Sequence, residues 1–251
     1  MAIILITGAT AGFGKACAEK FAAGGYDLII TGRRQERLTS LKTTLEQQHG
    51  VKVLPLTFDV RDEQAVYAAL DKIPEEWKQV SVLINNAGLA AGLSTIDQGN
   101  PEDWNEMIDT NVKGLLYVSR AVIPWLKARK QGHIINIGSI AGNQVYAKGN
   151  VYCASKAAVA ALSQAMRVDL LPYRIKVTNI RPGAAETEFS LVRFKGDEDK
   201  AKNVYTGLTP LSAEDVADVI YYCATLPPHV CINDLEITPL QQASAYYYDR
   251  N

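Results

Sequence analysis

Short apolar runs alternate with longer amphipathic stretches along the whole chain. The runs are Ile3–Thr7, Asp27–Thr31, Lys52–Thr57, Val80–Asn85, His133–Gly138 and Ile175–Ile180. Each is strand-length and rich in Ile, Leu and Val, as fits strands buried on both faces. Between them, helix-period segments fall near 13–24, 34–49, 62–73, 101–130 and 151–171. A last helix is predicted over about 212–226 and a closing strand over about 230–237. Asn100 and Pro101 read as N-cap and first-turn proline, and Pro124 as a kink within the long fourth helical segment. Repeated strand–helix alternation predicts an α/β fold, a doubly wound parallel sheet of Rossmann-like form with helices on both faces. No linker or repeat divides residues 1–251, so a single domain is expected.

The pattern loosens over about 184–208 into Phe, Arg, Gly and charged residues. This stretch follows the sixth strand, at the edge where open α/β sheets place their ligands, so it is expected to be an irregular substrate lid. The tail, 241–251, carries Tyr246, Tyr247 and Tyr248 and reads either as a subunit contact or as a disordered end.

The 251 residues, 47% hydrophobic, suffice for one large core. With 26 basic and 27 acidic residues the formal net charge is −1, and no Lys/Arg run stands out. That gives no support for nucleic acid or an anionic membrane as partner. The apolar start is too short for a signal segment and no stretch is long enough to span a bilayer, so a soluble, cytoplasmic protein is expected. Cys17, Cys153, Cys223 and Cys231 form no CxxC pair, and no Cys/His cluster has zinc-ligand spacing. They read as buried free thiols, with no metal site. His49, His133 and His229 read as structural or surface residues.

Chemistry concentrates at a few places. Thr7-Gly8-Ala9-Thr10-Ala11-Gly12-Phe13-Gly14 follows the first strand and opens the first helix. Gly8 permits the tight turn, Gly12 lets backbone approach a pyrophosphate, and Gly14 lets helix pack close to strand. The helix N-terminus offers free N–H groups to phosphates. The second strand runs into Gly32-Arg33-Arg34, where an NAD-binding chain usually has an acid for the ribose 2′-hydroxyl. Two arginines there, with planar forks suited to a 2′-phosphate, predict NADP(H) as cofactor. Asp59 and Val60 end the third strand, with Asp59 placed to accept from the adenine amino group. Asn86, Ala87 and Gly88 follow the fourth and are expected to line the adenosine ribose.

Tyr152 and Lys156 are four residues apart, on one face of a helix. A free tyrosine, with a pKa near ~10, is a poor proton donor or acceptor at neutral pH, and a neighbouring ammonium stabilises its phenolate. With the Ser139 hydroxyl, these groups suit reversible carbonyl reduction by a nicotinamide-dependent oxidoreductase.

Thr7–Gly14, Asn85–Gly88, Asn111, Ser139, Tyr152–Lys156 and Pro182-Gly183 resemble, in order and approximate spacing, the short-chain dehydrogenase/reductase family. The resemblance implies Tyr152 as acid in reduction and base in oxidation. It implies Lys156 as the residue that lowers the Tyr152 pKa and holds the nicotinamide ribose, and Ser139 as donor to the substrate oxygen. Asn111 would hold a water relaying protons to Lys156. Pro182, Gly183 and Thr187 would seat the nicotinamide.

A narrower resemblance lies in Thr187–Asp197, Gly32–Leu38 and Gly132–Ser139, which look like NADP-dependent 3-hydroxy acid dehydrogenases. It implies interconversion of short 3-hydroxy acids (serine, allo-threonine, 3-hydroxypropionate) with 3-oxo acids or semialdehydes, commonly by a homotetramer. A small carboxylate needs a cation near the tyrosine. Arg193 is the candidate, with Gln144 as an added polar contact. A broader NADPH carbonyl reductase and a dinucleotide-sensing non-enzyme are the alternatives.

Overall fold

A computed structural model describes residues 2–250. Seven parallel strands among these residues form one sheet in the order β3-β2-β1-β4-β5-β6-β7. They are β1 (Ile3–Ile6), β2 (Asp27–Gly32), β3 (Val53–Thr57), β4 (Val80–Asn85), β5 (Gly132–Ile137), β6 (Ile175–Pro182) and β7 (Asp234–Ile237). The sequence places six of them to within a few residues. The closing strand is shorter than expected, beginning at Asp234.

The two-residue period of the strands divides their side chains between two cores. In β1, Ile4 and Ile6 join one buried cluster and Ile3 and Leu5 the other. The first cluster takes Phe21 from α1 (Gly12–Ala23), Leu38, Leu41 and Leu45 from α2 (Gln35–His49), and Val216 and Ile220 from α9 (Ala213–Thr225). The second takes Val66 and Leu70 from α3 (Glu63–Asp71), Val118 and Val122 from α5 (Leu115–Arg129), and Val159 and Met166 from α6 (Asn150–Leu170). Burial on both faces accounts for unbroken apolar runs where an open sheet would alternate.

The long segment expected over 101–130 is interrupted. α4 (Pro101–Ile108), with the Asn100 side chain accepting from the Glu102 N–H at 2.9 Å, gives way to π winding over Asp109–Gly114 before α5 begins. The break thus lies at 109–114, and the α-helix runs on through Pro124. The 184–208 segment also departs from expectation. It contains α7 (Glu188–Arg193), capped by Thr187, and α8 (Glu198–Asn203), capped by Asp197. The described tail is neither loose nor turned outward throughout. Gln242 is buried and accepts from the Ala184 N–H at 2.7 Å, and Arg250 donates to the Thr206 and Val204 carbonyls at 2.6 and 3.1 Å. Tyr246 and Tyr247 are exposed.

Cys17, Cys153 and Cys223 are buried free thiols, as expected, but Cys231 is exposed. His133 is buried and shares a 2.7 Å hydrogen bond with the Thr178 hydroxyl, while His49 and His229 are exposed. No helix among the described residues is long and apolar enough to cross a membrane, and no described cluster of His, Cys, Asp and Glu could hold a metal.

Candidate active site

Strand order reverses between β1 and β4, and a groove opens beyond their carboxyl ends. Gly8, Gly12, Arg33, Ser139, Tyr152 and Lys156 all line it. Gly8 and Gly12 have φ of +68° and +50°, a region that strains any residue with a Cβ. A Cβ on Gly14 would run into the Gly8 carbonyl and the Asn86 side chain, so this glycine sets how closely α1 approaches the strands. The Ala11 N-cap supplies no side-chain cap and the first turn of α1 holds no acid. Its N–H groups and positive dipole end face the groove uncompensated, which suits a pyrophosphate.

Asn86 does less for a ligand than expected. Its Nδ2 donates to the Thr7 and Gly8 carbonyls at 2.8 and 3.2 Å, and its own N–H donates to Thr7 Oγ1 at 3.0 Å. It therefore braces the glycine turn, although Asn86, Ala87 and Gly88 do line the groove. Asn86→Ala should lower Tm by roughly 2–10 °C through loss of its two part-buried side-chain hydrogen bonds, about 1–3 kcal/mol, measured by thermal denaturation.

The two arginines after β2 differ. Arg33 is exposed and has a single 3.8 Å contact with Asp59. Arg34 is committed to the protein, donating to Thr10 Oγ1 at 2.9 Å and Glu188 Oε2 at 2.9 Å. Asp59 is engaged as well, taking Arg61 Nε and Nη2 at 3.0 and 2.7 Å on its Oδ2. Partial burial raises the Asp59 carboxyl, but the hydrogen bonds from Arg61 outweigh it and hold the group below the usual carboxylate range. Asp59 and Val60 both line the groove.

The first turns of α6 carry Tyr152 and Lys156 to the groove. Lys156 Nζ lies 6.0 Å from the Tyr152 ring centroid and donates to the Ile137 carbonyl at 2.8 Å. Burial pushes this ammonium down to about 8. Burial also pushes the Tyr152 phenol well above its ordinary range, reinforced by Tyr146, while the adjacent Ser139 hydroxyl and the Arg193 charge pull it back. Arg193 is thus a second positive charge close to Tyr152, beside the Lys156 to which the sequence pointed. Ser139 caps the short turn Ile140–Gly142, accepting from the Ala141 N–H at 3.1 Å, and keeps its hydroxyl in the groove wall.

Asn111 sits in the π winding with its side chain bonded at both ends. Oδ1 accepts from the Leu89 N–H at 2.8 Å, and Nδ2 donates to the Leu89 carbonyl at 2.8 Å and Ser155 Oγ at 3.0 Å. One lone pair of Oδ1 remains to accept from a relay water. Ser155, itself bonded to the Tyr152 carbonyl at 2.7 Å, is a supporting residue that sequence reasoning passed over, although it lies three residues from Tyr152 on the same helix.

α7 brings two residues to the tyrosine. The Phe189 ring packs edge-on against Tyr152 at 5.6 Å between centroids. The Arg193 guanidinium lies 5.7 Å from the Tyr152 ring centroid and 5.4 Å from that of Tyr146. Its Nε donates to the Gly92 carbonyl at 3.3 Å, and it enters no ion pair among the described residues. Phe189 and Tyr146 were missed: Phe189 lies within the Thr187–Asp197 run but carried no role there, Tyr146 lies in no motif, and only tertiary packing brings both to the site. Thr187 caps α7, its Oγ1 accepting from the Phe189 N–H at 3.2 Å, and lies over Gly12. Pro182 and Gly183 line the groove as expected. Gln144 does not. Its Oε1 accepts from the Ala245 N–H at 2.8 Å, so it anchors the tail, and the expected substrate contact is not supported.

A glycine turn at the switch point, with serine, tyrosine and lysine along one groove, defines an oxidoreductase of the short-chain dehydrogenase class. Residues 2–197 match the family described as short chain dehydrogenase, and the chain belongs to that family. It is 48% identical to the NADP-dependent 3-hydroxy acid dehydrogenase YdfG of Salmonella typhi over 97% of both chains. It is 49% identical to sulfoacetaldehyde reductase 2 of Chromohalobacter salexigens over 99% of both. A solved structure, the closed form of serine dehydrogenase complexed with NADP+, superposes with a TM-score of 0.92 at 46% identity, covering 99% of each chain.

Proposed function

We propose that this protein is an NADP(H)-dependent oxidoreductase that interconverts short hydroxy acids with their oxo or aldehyde forms by hydride transfer. The observation that carries the substrate class is Arg193, a half-buried cation with no acidic partner among the described residues, held over the ring of Tyr152. A guanidinium so placed is a fork for an anionic head group. The relatives above are named for small substrates that carry an acid group, which supports the same class.

The groove suits NADP(H). The glycine turn and the uncompensated start of α1 would hold the pyrophosphate, and Arg33, with its fork almost unused, would hold the 2′-phosphate. Bound there, NADP(H) supplies or accepts the hydride. Tyr152 gives a proton to the substrate oxygen in reduction and takes it in oxidation. Ser139 donates a hydrogen bond to that oxygen and stabilises charge developing on it. Lys156, buried beside Gly88, holds the nicotinamide ribose hydroxyls and the local positive charge. Thr187 seats the carboxamide. Asn111, whose Oδ1 keeps one lone pair beside Gly88, would hold a water that relays protons to Lys156. The 184–208 segment is the lid, and its α7 carries the substrate cation.

Initial rates with NADP+ across 3-hydroxypropionate, both enantiomers of serine and allo-threonine, and neutral alcohols of similar size test the reading. Preference for the hydroxy acids is expected; preference for neutral alcohols removes the anionic substrate class. Arg33→Ser should weaken NADP+ about 10-fold or more, by loss of about 1.5–3 kcal/mol of charged hydrogen bonding, with NAD+ affinity unchanged. Fluorescence titration reads both, and equal losses would remove Arg33 from the phosphate site.

A further inference from the structure

Arg34 lies at the phosphate end of the groove, yet most of its donors are committed. Nε and Nη2 donate to Thr10 Oγ1 at 3.2 and 2.9 Å, Nη2 reaches the Thr10 carbonyl at 3.3 Å, and Nη1 donates to Glu188 Oε2 at 2.9 Å. The other carboxylate oxygen, Oε1, accepts from Arg37 Nη1 at 2.7 Å. Glu188 opens α7, the helix whose Phe189 and Arg193 reach Tyr152. One carboxylate thus ties the lid to both arginines at the start of α2. Thr10, Arg34 and Glu188 all line the cofactor groove.

We infer that Glu188 is a specificity-determining residue for the cofactor: its carboxylate holds Arg34 and Arg37, and the 2′-phosphate of NADP(H), in the groove that Arg34 lines, competes with it for their positive charge. The inference rests on the NADP(H) reading above. Carboxylate and phosphate are alternative partners for one guanidinium fork, and two anions brought to a shared cation pair repel each other. A 2′-hydroxyl carries no charge and cannot displace the carboxylate. The phosphate therefore draws the arginines away from the lid, and NAD(H) leaves the latch closed. Each ion pair is exposed and individually weak, so the exchange is reversible on every turnover, as release of a cofactor requires.

The test is calorimetric titration of the whole protein with 2′,5′-ADP and with 5′-AMP, probes that differ only in the 2′-phosphate and carry no nicotinamide. Glu188→Gln should tighten 2′,5′-ADP binding about three- to tenfold, the range expected from releasing two weak ion pairs, and leave 5′-AMP unchanged. Glu188→Asp keeps the charge but is too short to span both arginines, and should fall between. Unchanged or weaker 2′,5′-ADP binding in Glu188→Gln, with 5′-AMP retained, overturns the inference. Parallel weakening of both probes overturns it too, since Glu188 would then merely hold the groove together. Equal binding of the two probes by the unaltered protein would overturn the NADP(H) reading and this inference with it.

Discussion

Tyr152→Phe will lower kcat by about 10²–10⁴-fold, the usual contribution of a positioned acid–base group, while NADP+ binding stays nearly unchanged. The substitution removes one oxygen and keeps the ring. Phe189 can still pack edge-on at this position, and Arg193 still finds an aromatic face. Lys156 keeps its hydrogen bond to the Ile137 carbonyl, so the cofactor side of the groove is untouched. The lost chemistry is the proton delivered to, or taken from, the substrate oxygen. Single-turnover rates and a fluorescence titration on the same preparation separate the two effects. Near-normal turnover in the variant would remove Tyr152 from the reaction; lost turnover together with lost NADP+ binding would show that the hydroxyl organises the groove instead.

The strands were legible because both faces of the sheet are covered, so each reads as an unbroken apolar run. Tyr152, Lys156 and Ser139 were legible because each stands at a fixed place on an element that the pattern itself reveals. What escaped depends on partners distant in sequence. The π winding over 109–114 leaves no local mark; it accompanies an Asn111 side chain that satisfies both the N–H and the carbonyl of Leu89. Arg34 was located correctly, but its partner Glu188 lies 154 residues away. Gln144 was likewise claimed by Ala245, 101 residues on, through tail packing that no local pattern encodes. The two lid helices are a different case. Thr187 and Asp197 are ordinary N-cap residues, and each accepts from a main-chain N–H in the turn it opens. Their signal was present but outweighed by the charged, glycine-containing composition around them.

Arg193→Ala will reduce the ratio of kcat/KM for a hydroxy acid to that for a neutral alcohol by about 10- to 100-fold. A charged hydrogen bond contributes about 1.5–3 kcal/mol, and a fork that serves a carboxylate in the transition state loses at least one such bond on truncation. The ratio matters more than either rate alone, because Arg193 acts on Tyr152 as well. Its positive charge pulls the tyrosine down against burial, so its removal pushes the phenol higher and slows oxidation of every alcohol at neutral pH. That common effect cancels in the ratio; the clamp does not. Arg193→Lys provides the complementary measurement. It keeps a positive charge near Tyr152 but loses the planar fork, so the neutral alcohol should recover more fully than the hydroxy acid. If both substrates fall equally in Arg193→Ala and recover equally in Arg193→Lys, then Arg193 serves the tyrosine alone. The substrate's anionic group must then be recognised elsewhere, or the substrate carries none.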